Sequence, residues 1–558
     1  MCTLKNLTRR IRKQEHPVNY VRLFLLSLSL VTILASPLPG AEPRLILVLS
    51  IDQMRYDYLV RFAPLYKGGF KTLLDRGAIF SNAMYRHANT ETGPGHSVIL
   101  SGRHASHTGI VANTWYDHYL RKTINVVDDP VHEPVGGPGR GASPTNLIGF
   151  TVGDKIKQKW PNSRVVGVSF KDRSAILMAG HRADGAFWFE NECGCFITST
   201  YYASKPPTWL VKFNSLKLSD KYGSTPWTRL INDEAVYEKF AGKDNAPGEW
   251  DLKDTTFPHQ HRGQPGQWQY YENIRRTPFA DELLLQVTLE VLQAYDLGMD
   301  ASPDVLAVGF SATDVIGHTY GAYSQEQMDE LLRLDLILDK LFKAVEARVG
   351  ASNLLVVLTA DHASLPLVEW LQKNGSPQAR RYNPGVLDTT VREALKKRYP
   401  QAPELVIAFD NPNFYLDLDA IRKHGLKRAE VEQVSTQALM ATGTVAAVYT
   451  HADMLFGAPA NDSYIRLFQN SFFQSRSPHL MVLPKQYIYF DARPGGTGHG
   501  TAYDYDRHVP VVWMGVGVKP GRYSNPAGPE DIAPTLGKIL GIPYPLEPPS
   551  RLLKEAFQ

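Results

Sequence analysis

The chain has 558 residues, of which 43% are hydrophobic and 21% are charged, and its formal net charge is +4. This length can bury a large core, and the composition excludes a disordered, collagen-like or coiled-coil protein. Residues 1–41 contain six Lys or Arg and one Glu, so removing them would change the net charge to −1. The basic character therefore does not indicate a nucleic-acid-binding protein.

Residues 1–41 have the three parts of a secretory signal peptide. A basic segment comes first, the apolar run Leu23–Ala35 follows, and small residues in "SPLPGAEP" complete the pattern. This apolar run is shorter than the roughly 20 residues that span a bilayer. We therefore expect cleavage, a periplasmic or secreted protein, and no stable membrane insertion afterwards. An uncleaved anchor is the alternative, because Pro39 suits a cleavage site after Ala41 poorly.

The stretch "NTETGPGHSVILSG", residues 89–102, predicts the start of a helix. Pro94 fits the first turn, so Thr92 lies at the N-terminus, where the helix dipole favours negative charge. Thr90 lies further from the helix start. Ser97 lies inside the helix, where its hydroxyl is expected to bond the backbone. Thr92 is therefore the candidate nucleophile, and a simple helix cap is the alternative role.

Five short apolar runs with many β-branched residues predict strands that are covered on both faces. They are residues 44–52, 164–173, 304–314, 354–362 and 509–517. Between two of these runs, Ser324 and Gln327 have capping-box spacing at the start of a long amphipathic helix pattern. The alternation predicts an α/β fold with a central, mostly parallel β-sheet flanked by helices. The active site of such a sheet lies beyond the carboxyl ends of its strands.

Two stretches fit this pattern poorly, and we expect both to be insertions that cap the site. Residues from about 200 to 275 are rich in Trp, Tyr and Pro, and residues from about 375 to 480 mix short helices and strands. Residues 42–558, including these insertions, are expected to form one domain and a monomer. Cys193 and Cys195 are expected to be structural, because a zinc site would need further ligands and no His lies nearby.

Carboxylates and imidazoles stand at the ends of the predicted strands. The carboxylates are Asp52, Asp314 and Asp361, and two of the imidazoles are His318 and His362. The third imidazole, His499, lies in a glycine-rich loop just before the strand that starts at Val509. Three carboxylates buried at one sheet edge repel one another and need cations. Mixed nitrogen and oxygen ligands without thiolate suit Zn²⁺, and this number of protein ligands suffices for two ions. Two such ions about 4 Å apart can hold the attacking and leaving oxygens of a phosphoryl transfer.

Several motifs resemble those of the alkaline phosphatase superfamily. They are "LSIDQMRYDYL", "TGPGH", "GIVANTWYD", "SFKDRSAILMAGH", "SATDVIGHTYG", "TADH" and "GTGHGTAYDYDRHVPV". They span almost the whole mature chain in the family's order. Within the superfamily they are most similar to PafA-type periplasmic phosphatases, which use threonine as the nucleophile. The resemblance implies an alkaline-phosphatase-like sandwich, whose insertions cap the active site, and the hydrolysis of phosphate monoesters.

The resemblance also implies a role for each candidate residue. One zinc ion would be held by Asp314, His318 and His499. The other would be held by Asp52, Asp361 and His362, with Thr92 as its fourth ligand. Asn113 would hydrogen-bond a phosphoryl oxygen, and Lys171 and Arg173 would bind the phosphate. Residues two apart at a strand end point the same way, so the two cations are also expected to converge.

The sequence therefore predicts a secreted alkaline phosphatase with two zinc ions and a phosphothreonine intermediate on Thr92. A phosphodiesterase or nucleotide pyrophosphatase of the same superfamily would share the metal ligands and Thr92, but its diester would make less use of Lys171 and Arg173. A sulfatase is disfavoured, because "NECGCF" lacks the Pro and Arg of a Cys-x-Pro-x-Arg motif. A catalytically inactive secreted binding module would be expected to have lost a metal ligand, and none is missing.

Overall fold

The structure, a computed structural model, describes residues 42–250, 254–402, 404–457, 462–548 and 550–557. The expected signal peptide, residues 1–41, lies outside these ranges. Among the residues that are described, no helix is both long enough and apolar enough to cross a membrane.

The secondary structure of the described ranges alternates strands and helices along most of the chain. The strands are β1 Leu45–Ile51, β2 Ala78–Phe80, β3 Thr114–Asp117, β4 Lys122–Asn125, β5 Pro134–Val135, β6 Val165–Ser169, β7 Gly185–Glu190, β8 Cys195–Ser199, β9 Asp304–Phe310, β10 Leu354–Thr359, β11 Arg380–Tyr382, β12 Val406–Asp410, β13 Asn413–Leu416, β14 Val445–Thr450, β15 Leu480–Pro484, β16 Ile488–Phe490, β17 Val511–Gly515 and β18 Gly521–Tyr523. The α-helices are Tyr58–Arg61, Gly69–Arg76, Thr92–Ser101, Ala105–Thr108, Val152–Lys159, Asp172–Ala179, Thr208–Ser215, Glu234–Ala241, Trp268–Ile274, Phe279–Ala294, Ala312–Tyr320, Gln325–Val349, Val368–Lys373, Pro384–Arg398, Leu418–Lys423, Arg428–Ala441, His451–Phe456, Ile465–Ser471, Asp504–Arg507 and Ile532–Ile539.

The central sheet has ten strands in the order β18-β2-β17-β10-β1-β9-β6-β7-β8-β5. β1 lies in its middle and pairs in parallel with β10 on one side and β9 on the other. The parallel pairing continues from β9 to β6 and from β6 to β7. Every residue of β1, β6, β9 and β10 is buried, as expected for parallel strands with helices on both faces. The predicted α/β fold with a mostly parallel sheet is confirmed.

β17 is the one predicted strand that runs antiparallel to its neighbours, β10 and β2. Thr359, the last residue of β10, pairs with Val511, the first residue of β17. The start of β17 therefore lies at the same sheet edge as the end of β10. As a consequence, the loop before β17 reaches the edge where the residues after β1, β9 and β10 also lie.

Two of the predicted strands end well before their apolar runs do. β6 ends at Ser169, and the Asp172–Ala179 helix begins shortly after it. β9 ends at Phe310, and the Ala312–Tyr320 helix begins almost at once. These helix N-termini lie at the sheet edge that holds ligand sites in α/β folds. Polar residues that the sequence assigned to strand ends therefore lie in first helical turns.

The predicted amphipathic helix extends over Gln325–Val349. The Ser324 hydroxyl accepts a hydrogen bond from Gln327 N at 3.0 Å, which makes Ser324 the N-cap, as the spacing predicts. The apolar stripe of this helix lies in the main core, under β1 and β10. Its members are Leu331, Leu334, Leu338 and Leu341.

Residues 380–490 form a second layer beside the central sheet, which we call the inserted unit. Its four-stranded sheet has the order β12-β13-β15-β14. The Pro384–Arg398 and Arg428–Ala441 helices pack on this sheet around a separate core that includes Leu387, Val431 and Phe414. β11 and β16 pair in parallel at the two ends of the unit, so its entry and exit lie side by side.

Cys193 and Cys195 form a disulfide bond between the turn after β7 and the first residue of β8. Neither sulfur is close to the candidate metal ligands in the chain or in the sheet order, since β8 lies near the far edge of the sheet. The bond is consistent with the structural role expected for this pair.

Candidate active site

Thr92 lies at the N-terminus of the Thr92–Ser101 helix, as the sequence predicts, and is 1% exposed. Gly93 N donates a hydrogen bond to Asn113 Oδ1 at 2.7 Å, so Asn113 satisfies one of the free amides of this helix end. A Cβ atom at position 95 would lie 2.1 Å from the carbonyl oxygen of Asp361. Gly95 therefore allows the helix to approach the end of β10 closely.

The three hydroxyls of this stretch have different partners. Thr90 Oγ1 donates to Thr501 O at 3.0 Å, and Ser97 Oγ donates to Pro94 O at 2.8 Å. The expectation that Ser97 bonds the backbone is confirmed. Thr92 Oγ1 instead faces the guanidinium of Arg173, whose Nη2 lies 3.4 Å away. A positive charge beside a hydroxyl favours its deprotonated form and attracts an anionic substrate.

The residues predicted as metal ligands come from four segments along one sheet edge. Asp52 follows β1 directly, and Asp361 and His362 follow β10. Asp314 and His318 lie one turn apart on the Ala312–Tyr320 helix, after β9. His499 lies in the glycine-rich loop before β17, which the antiparallel pairing of β17 brings to this edge. The structure therefore brings all six residues together.

Asp314, His318 and His499 form the first of two groups whose ligand atoms lie within 4.8 Å of one another. The Nε2 atoms of His318 and His499 lie 3.2 Å and 3.7 Å from Asp314 Oδ1. His318 Nδ1 lies 2.7 Å from Thr497 O, and His499 Nδ1 lies 2.7 Å from Thr90 O. Because each carbonyl can only accept a hydrogen bond, the ring proton lies on Nδ1. This leaves Nε2 as the atom that can bind a metal.

Asp52, Asp314 and His362 form the second group. His362 Nε2 lies 3.5 Å from Asp52 Oδ1 and 3.3 Å from Asp361 Oδ2. His362 Nδ1 lies 3.1 Å from Ala363 O, so Nε2 again faces the carboxylates. The structure thus places Asp361 beside this group and adds Asp314, which belongs to both groups and lies between them.

The predicted geometry of Lys171 and Arg173 is wrong. Lys171 is the N-cap of the Asp172–Ala179 helix and Arg173 lies in its first turn, so the alternation of side chains along a strand does not apply. Lys171 Nζ lies 2.6 Å from both Asp52 Oδ2 and Asp314 Oδ2, whereas Arg173 approaches Thr92. Both cations lie in the site, but they contact different groups.

The electrostatics of the site fit a bound cation. Burial raises the pKa of Asp52, and the charges of Asp314 and Asp361 raise it further. Burial opposes ionisation of Asp314 too, but Lys171 and His318 hold its pKa well below the usual range. Asp52 Oδ1 and His362 Nε2 are both buried without a hydrogen-bond partner. Such atoms rarely lack a partner, and a carboxylate oxygen beside an imidazole nitrogen is a donor set that suits zinc.

Sequence reasoning missed two residues that hold the site. Gln53 donates from Nε2 to Asp314 Oδ1 at 2.7 Å and from its backbone N to Asp361 Oδ1 at 3.1 Å. Its φ of 65° is unusual for a residue other than glycine and is typical of functional sites. His96 Nδ1 lies 2.9 Å from Thr92 O and 3.2 Å from Asp361 Oδ2. The spacing of one helical turn between Thr92 and His96 in "TGPGH" is the signal that indicates this contact.

Comparison with known proteins supports the same conclusion. The sequence profile of the type I phosphodiesterase / nucleotide pyrophosphatase family matches residues 46–508. The chain is 32% identical over 518 residues to alkaline phosphatase PafA of Elizabethkingia meningoseptica, covering 90% of this chain and 92% of that protein. It is 32% identical over 517 residues to alkaline phosphatase PhoV of Synechococcus elongatus, covering 91% and 92%. The crystal structure of wild-type alkaline phosphatase PafA matches with a TM-score of 0.87 at 31% identity, covering 93% of this chain and 99% of that chain.

These matches span most of the chain, including every segment that contributes to the candidate site. They confirm both the resemblance carried by the motifs and the expected alkaline-phosphatase-like architecture. The chain belongs to the type I phosphodiesterase / nucleotide pyrophosphatase family, a family of hydrolases within the alkaline phosphatase superfamily.

Proposed function

We propose that the protein is a secreted, zinc-dependent alkaline phosphatase that hydrolyses small phosphate monoesters through a phosphothreonine on Thr92. The observation that carries this proposal is the approach of the Arg173 guanidinium to within 3.4 Å of Thr92 Oγ1 at a helix N-terminus. Both features favour negative charge at one point, and the Thr92 hydroxyl lies at that point. The alkaline phosphatases PafA and PhoV are each similar to this chain over 92% of their length.

Two zinc ions fit the donor set of the site. Asp314, His318 and His499 would hold one ion, and Asp52, Asp361 and His362 would hold the other together with Thr92. When bound, the ions would supply positive charge that lowers the pKa of the Thr92 hydroxyl and stabilises the leaving oxygen. His318 and His499 already present Nε2 to the site, because their Nδ1 atoms face backbone carbonyls.

In the proposed phosphoryl transfer, Thr92 acts as the nucleophile, and Asn113 and Arg173 bind the phosphoryl oxygens. Thr92 Oγ attacks phosphorus in line with the departing alcohol, and the bond to the alcohol oxygen breaks as the bond to Thr92 forms. Asn113 presents its Nδ2 donors to a phosphoryl oxygen, because its Oδ1 already accepts from Gly93 N. Arg173 can grip two further oxygens with its planar fork. Water then hydrolyses the phosphothreonine and regenerates Thr92.

The choice of a monoester rests on the positive charge in the site, where Arg173 lies beside Thr92 and Lys171 lies between Asp52 and Asp314. A monoester dianion has more negative charge to stabilise than a diester, whose further oxygen is esterified. Lys171 and Arg173 supply two cations, and a charge-assisted hydrogen bond contributes about 1.5–3 kcal/mol. Removing both with Lys171→Ala and Arg173→Ala should lower kcat/KM for an aryl phosphate monoester on the order of a thousandfold or more. The matched aryl diester should lose much less.

The control for this experiment removes one Lys and one Arg elsewhere, at Lys427 and Arg422. Both are exposed on the inserted unit, with side-chain exposures of 81% and 72%. The control should leave both rates unchanged. Equal losses on monoester and diester in the Lys171 and Arg173 variant would contradict the monoester proposal. The diesterase alternative, which agrees with the description of the family profile, would then be preferred.

The nucleophile can be tested separately. Thr92→Ala should abolish turnover, because it removes the nucleophilic hydroxyl. The protein should still fold and bind zinc, because the change removes only a hydroxyl and a methyl group. Thr92→Ser keeps a hydroxyl and should retain part of the activity. Quenching the enzyme during turnover of a phosphorus-labelled monoester should trap the label on Thr92. Label on Thr90 or Ser97 would contradict the assignment, and full turnover by Thr92→Ala would favour another mechanism.

A catalytically inactive binding module is the alternative from another class. It would bind phosphate esters without turnover, so the wild-type rate on an aryl phosphate distinguishes the two functions directly. The presence of all six candidate ligands together with Thr92 favours the enzyme. A secreted location agrees with the disulfide between Cys193 and Cys195, since such bonds persist in oxidising compartments. We propose that the mature protein acts there as a monomer.

A further inference from the structure

A cavity of about 120 Å³ adjoins the candidate active site on the side of His499. One wall belongs to the central sheet edge, where Glu91 precedes Thr92 and the loop Gly498–Thr501 surrounds His499. The opposite wall belongs to the inserted unit, where Asp410 is the last residue of β12, directly before the turn to β13. The cavity therefore lies between the proposed phosphoryl site and the inserted unit.

The charged groups that line this cavity are acidic. Glu91, Asp410 and Asp506 contribute carboxyl groups, and none of its lining residues in the described ranges is Lys or Arg. Glu91 Oε2 accepts a hydrogen bond from Asn113 N at 2.7 Å, which fixes its carboxylate. Asp506 Oδ2 accepts from Thr501 N and Oγ1, so Asp506 is engaged in holding the loop. Asp410 is partly exposed, and unlike Glu91 and Asp506 its carboxyl group is not engaged in holding a neighbouring segment.

The charge of Glu91 acts on Asp410 across the cavity, and the charge of Arg173 acts on Glu91 from the side of the phosphoryl site. Burial raises the pKa of Asp410 to about 7, and the negative charge of Glu91 contributes to this shift. Two carboxyl groups that repel each other in a confined space are stabilised by a cation placed between them. Aromatic side chains complete the lining, and those of Tyr489 and Phe490 lie next to the Asp410 turn in the inserted unit. Aromatic faces also attract ammonium groups.

We propose that this cavity is the leaving-group subsite of the enzyme and that Asp410 sets its specificity. The subsite accepts the alcohol part of a phosphate monoester that carries an ammonium group, and it rejects an alcohol part that carries a second phosphate. This inference rests on the proposed phosphatase function. His499 belongs to the group formed with Asp314 and His318, whereas the proposed function assigns Thr92 to the other ion. An alcohol that leaves in line with Thr92 would then depart on the side of His499, where the cavity opens.

Three substrates that share a two-carbon alcohol test the proposal. They are 2-aminoethyl phosphate, 2-hydroxyethyl phosphate and ethylene glycol bisphosphate. The wild-type enzyme should show the highest kcat/KM for the ammonium compound and the lowest for the bisphosphate. Asp410→Asn keeps the shape and removes the charge, so it should reduce the ratio between these two substrates about tenfold. The control Asp419→Asn makes the same chemical change at an exposed position of the inserted unit, and it should leave the ratio unchanged.

Inhibition by inorganic phosphate reports on the phosphoryl site alone, because this ion has no alcohol part. Its inhibition constant should be the same for wild type and Asp410→Asn. A changed constant would overturn the proposal, since Asp410 would then act on the phosphoryl site. An unchanged substrate ratio in Asp410→Asn would overturn it as well. If Asp410→Asn did not fold, Asp410→Ser would take its place in the same comparison.

The failure of this proposal can be told apart from failure of the proposed function. If the wild-type enzyme hydrolyses all three substrates without preference, or if its preference is unchanged in Asp410→Asn, only the subsite and the role of Asp410 are contradicted. Absence of monoester hydrolysis in the wild-type enzyme, or turnover that survives Thr92→Ala, contradicts the phosphatase itself.

Discussion

Asn113 illustrates how one side chain can serve the helix and the substrate together. Its Oδ1 accepts a hydrogen bond from Gly93 N, and its backbone N donates to Glu91 Oε2, so the amide group is held from two sides. An amide fixed through its oxygen must present its nitrogen elsewhere. In the proposed mechanism that nitrogen donates to a phosphoryl oxygen.

We predict that Asn113→Asp will be more harmful to catalysis than to stability. The new carboxylate can still accept from Gly93 N, but it cannot donate to a phosphoryl oxygen and it adds negative charge. Loss of one such donor costs on the order of a hundredfold in kcat. The measurements are kcat on an aryl phosphate and the melting temperature, with Asn113→Ala as the comparison. Equal activity in Asn113→Asp and wild type would show that Nδ2 makes no contact with substrate.

Thr92 and the candidate ligands could be predicted from the sequence because each lies in a short motif with a specific residue type. The geometry of Lys171 and Arg173 could not, because their run of β-branched residues conceals the point where the strand ends. Gln53 was missed for a related reason. Its role depends on a left-handed backbone conformation, which a glutamine rarely adopts, so the residue type gives no indication of it.

At the scale of elements, the Gln325–Val349 helix carries a buried acid that lies beside a second acid. Glu330 is fully buried, and its carboxyl group can donate a hydrogen bond to that of Asp281 when it is protonated. Burial raises its pKa well above the usual range, and the negative charge of Asp281 on the Phe279–Ala294 helix raises it further. The folded protein therefore binds a proton that the unfolded chain releases at lower pH.

This raised pKa predicts how stability depends on pH. The contribution of Glu330 to the free energy of unfolding is fully present below its pKa in the unfolded chain, about 4.5. It is lost as the pH rises towards the pKa of Glu330 in the folded protein. Glu330→Gln mimics the protonated acid and should remove this loss, which amounts to at most about 1.4 kcal/mol per pH unit. The melting temperature of the variant relative to wild type should therefore be higher at pH 8 than at pH 5. Glu346→Gln, a partly exposed change in the same helix, should show no such trend.

The strands of the central sheet were predictable as elements because burial on both faces requires continuous apolar runs. The direction of each strand was harder to predict from the sequence. β17 has the same apolar character as β1 and β10, yet it enters the sheet antiparallel. Direction depends on which edge the preceding loop reaches, and that is determined by tertiary packing. His499 lies at the sheet edge because it precedes an antiparallel strand, and the sequence did not indicate this direction.

At the scale of the whole molecule, the proposed zinc ions should contribute to stability as well as to catalysis. A ligand that binds only the folded state stabilises it by about 2.7 kcal/mol at a hundred times its dissociation constant. We predict two zinc ions per chain by elemental analysis, and a lower melting temperature after chelation that zinc restores. Asp361→Asn should bind less zinc and show a smaller shift. Full activity in protein without metal would contradict the proposal.

The inserted unit shows where prediction of the whole architecture reached its limit. Mixed short patterns indicated an insertion at about 375 to 480, and the structure shows a layer with its own sheet and core over residues 380–490. The sequence contains no signal for the pairing of β11 with β16, because each is a three-residue strand. Without that pairing, the position of the Asp410 turn over the sheet edge could not be inferred.

The antiparallel entry of β17 has a consequence for how the molecule is made. A polypeptide is synthesised and exported from its N-terminus, so Asp52 and Thr92 emerge long before His499. The loop that carries His499 forms hydrogen bonds to Thr90, His318 and Leu365, and its C-terminal side is fixed when β17 inserts between β10 and β2. A nascent chain that stops before Val511 has these partners but lacks the strand that fixes the loop at the sheet edge. If the proposed function holds, we therefore expect activity to appear only after β17 has inserted, and we expect a chain that ends before Val511 to be inactive.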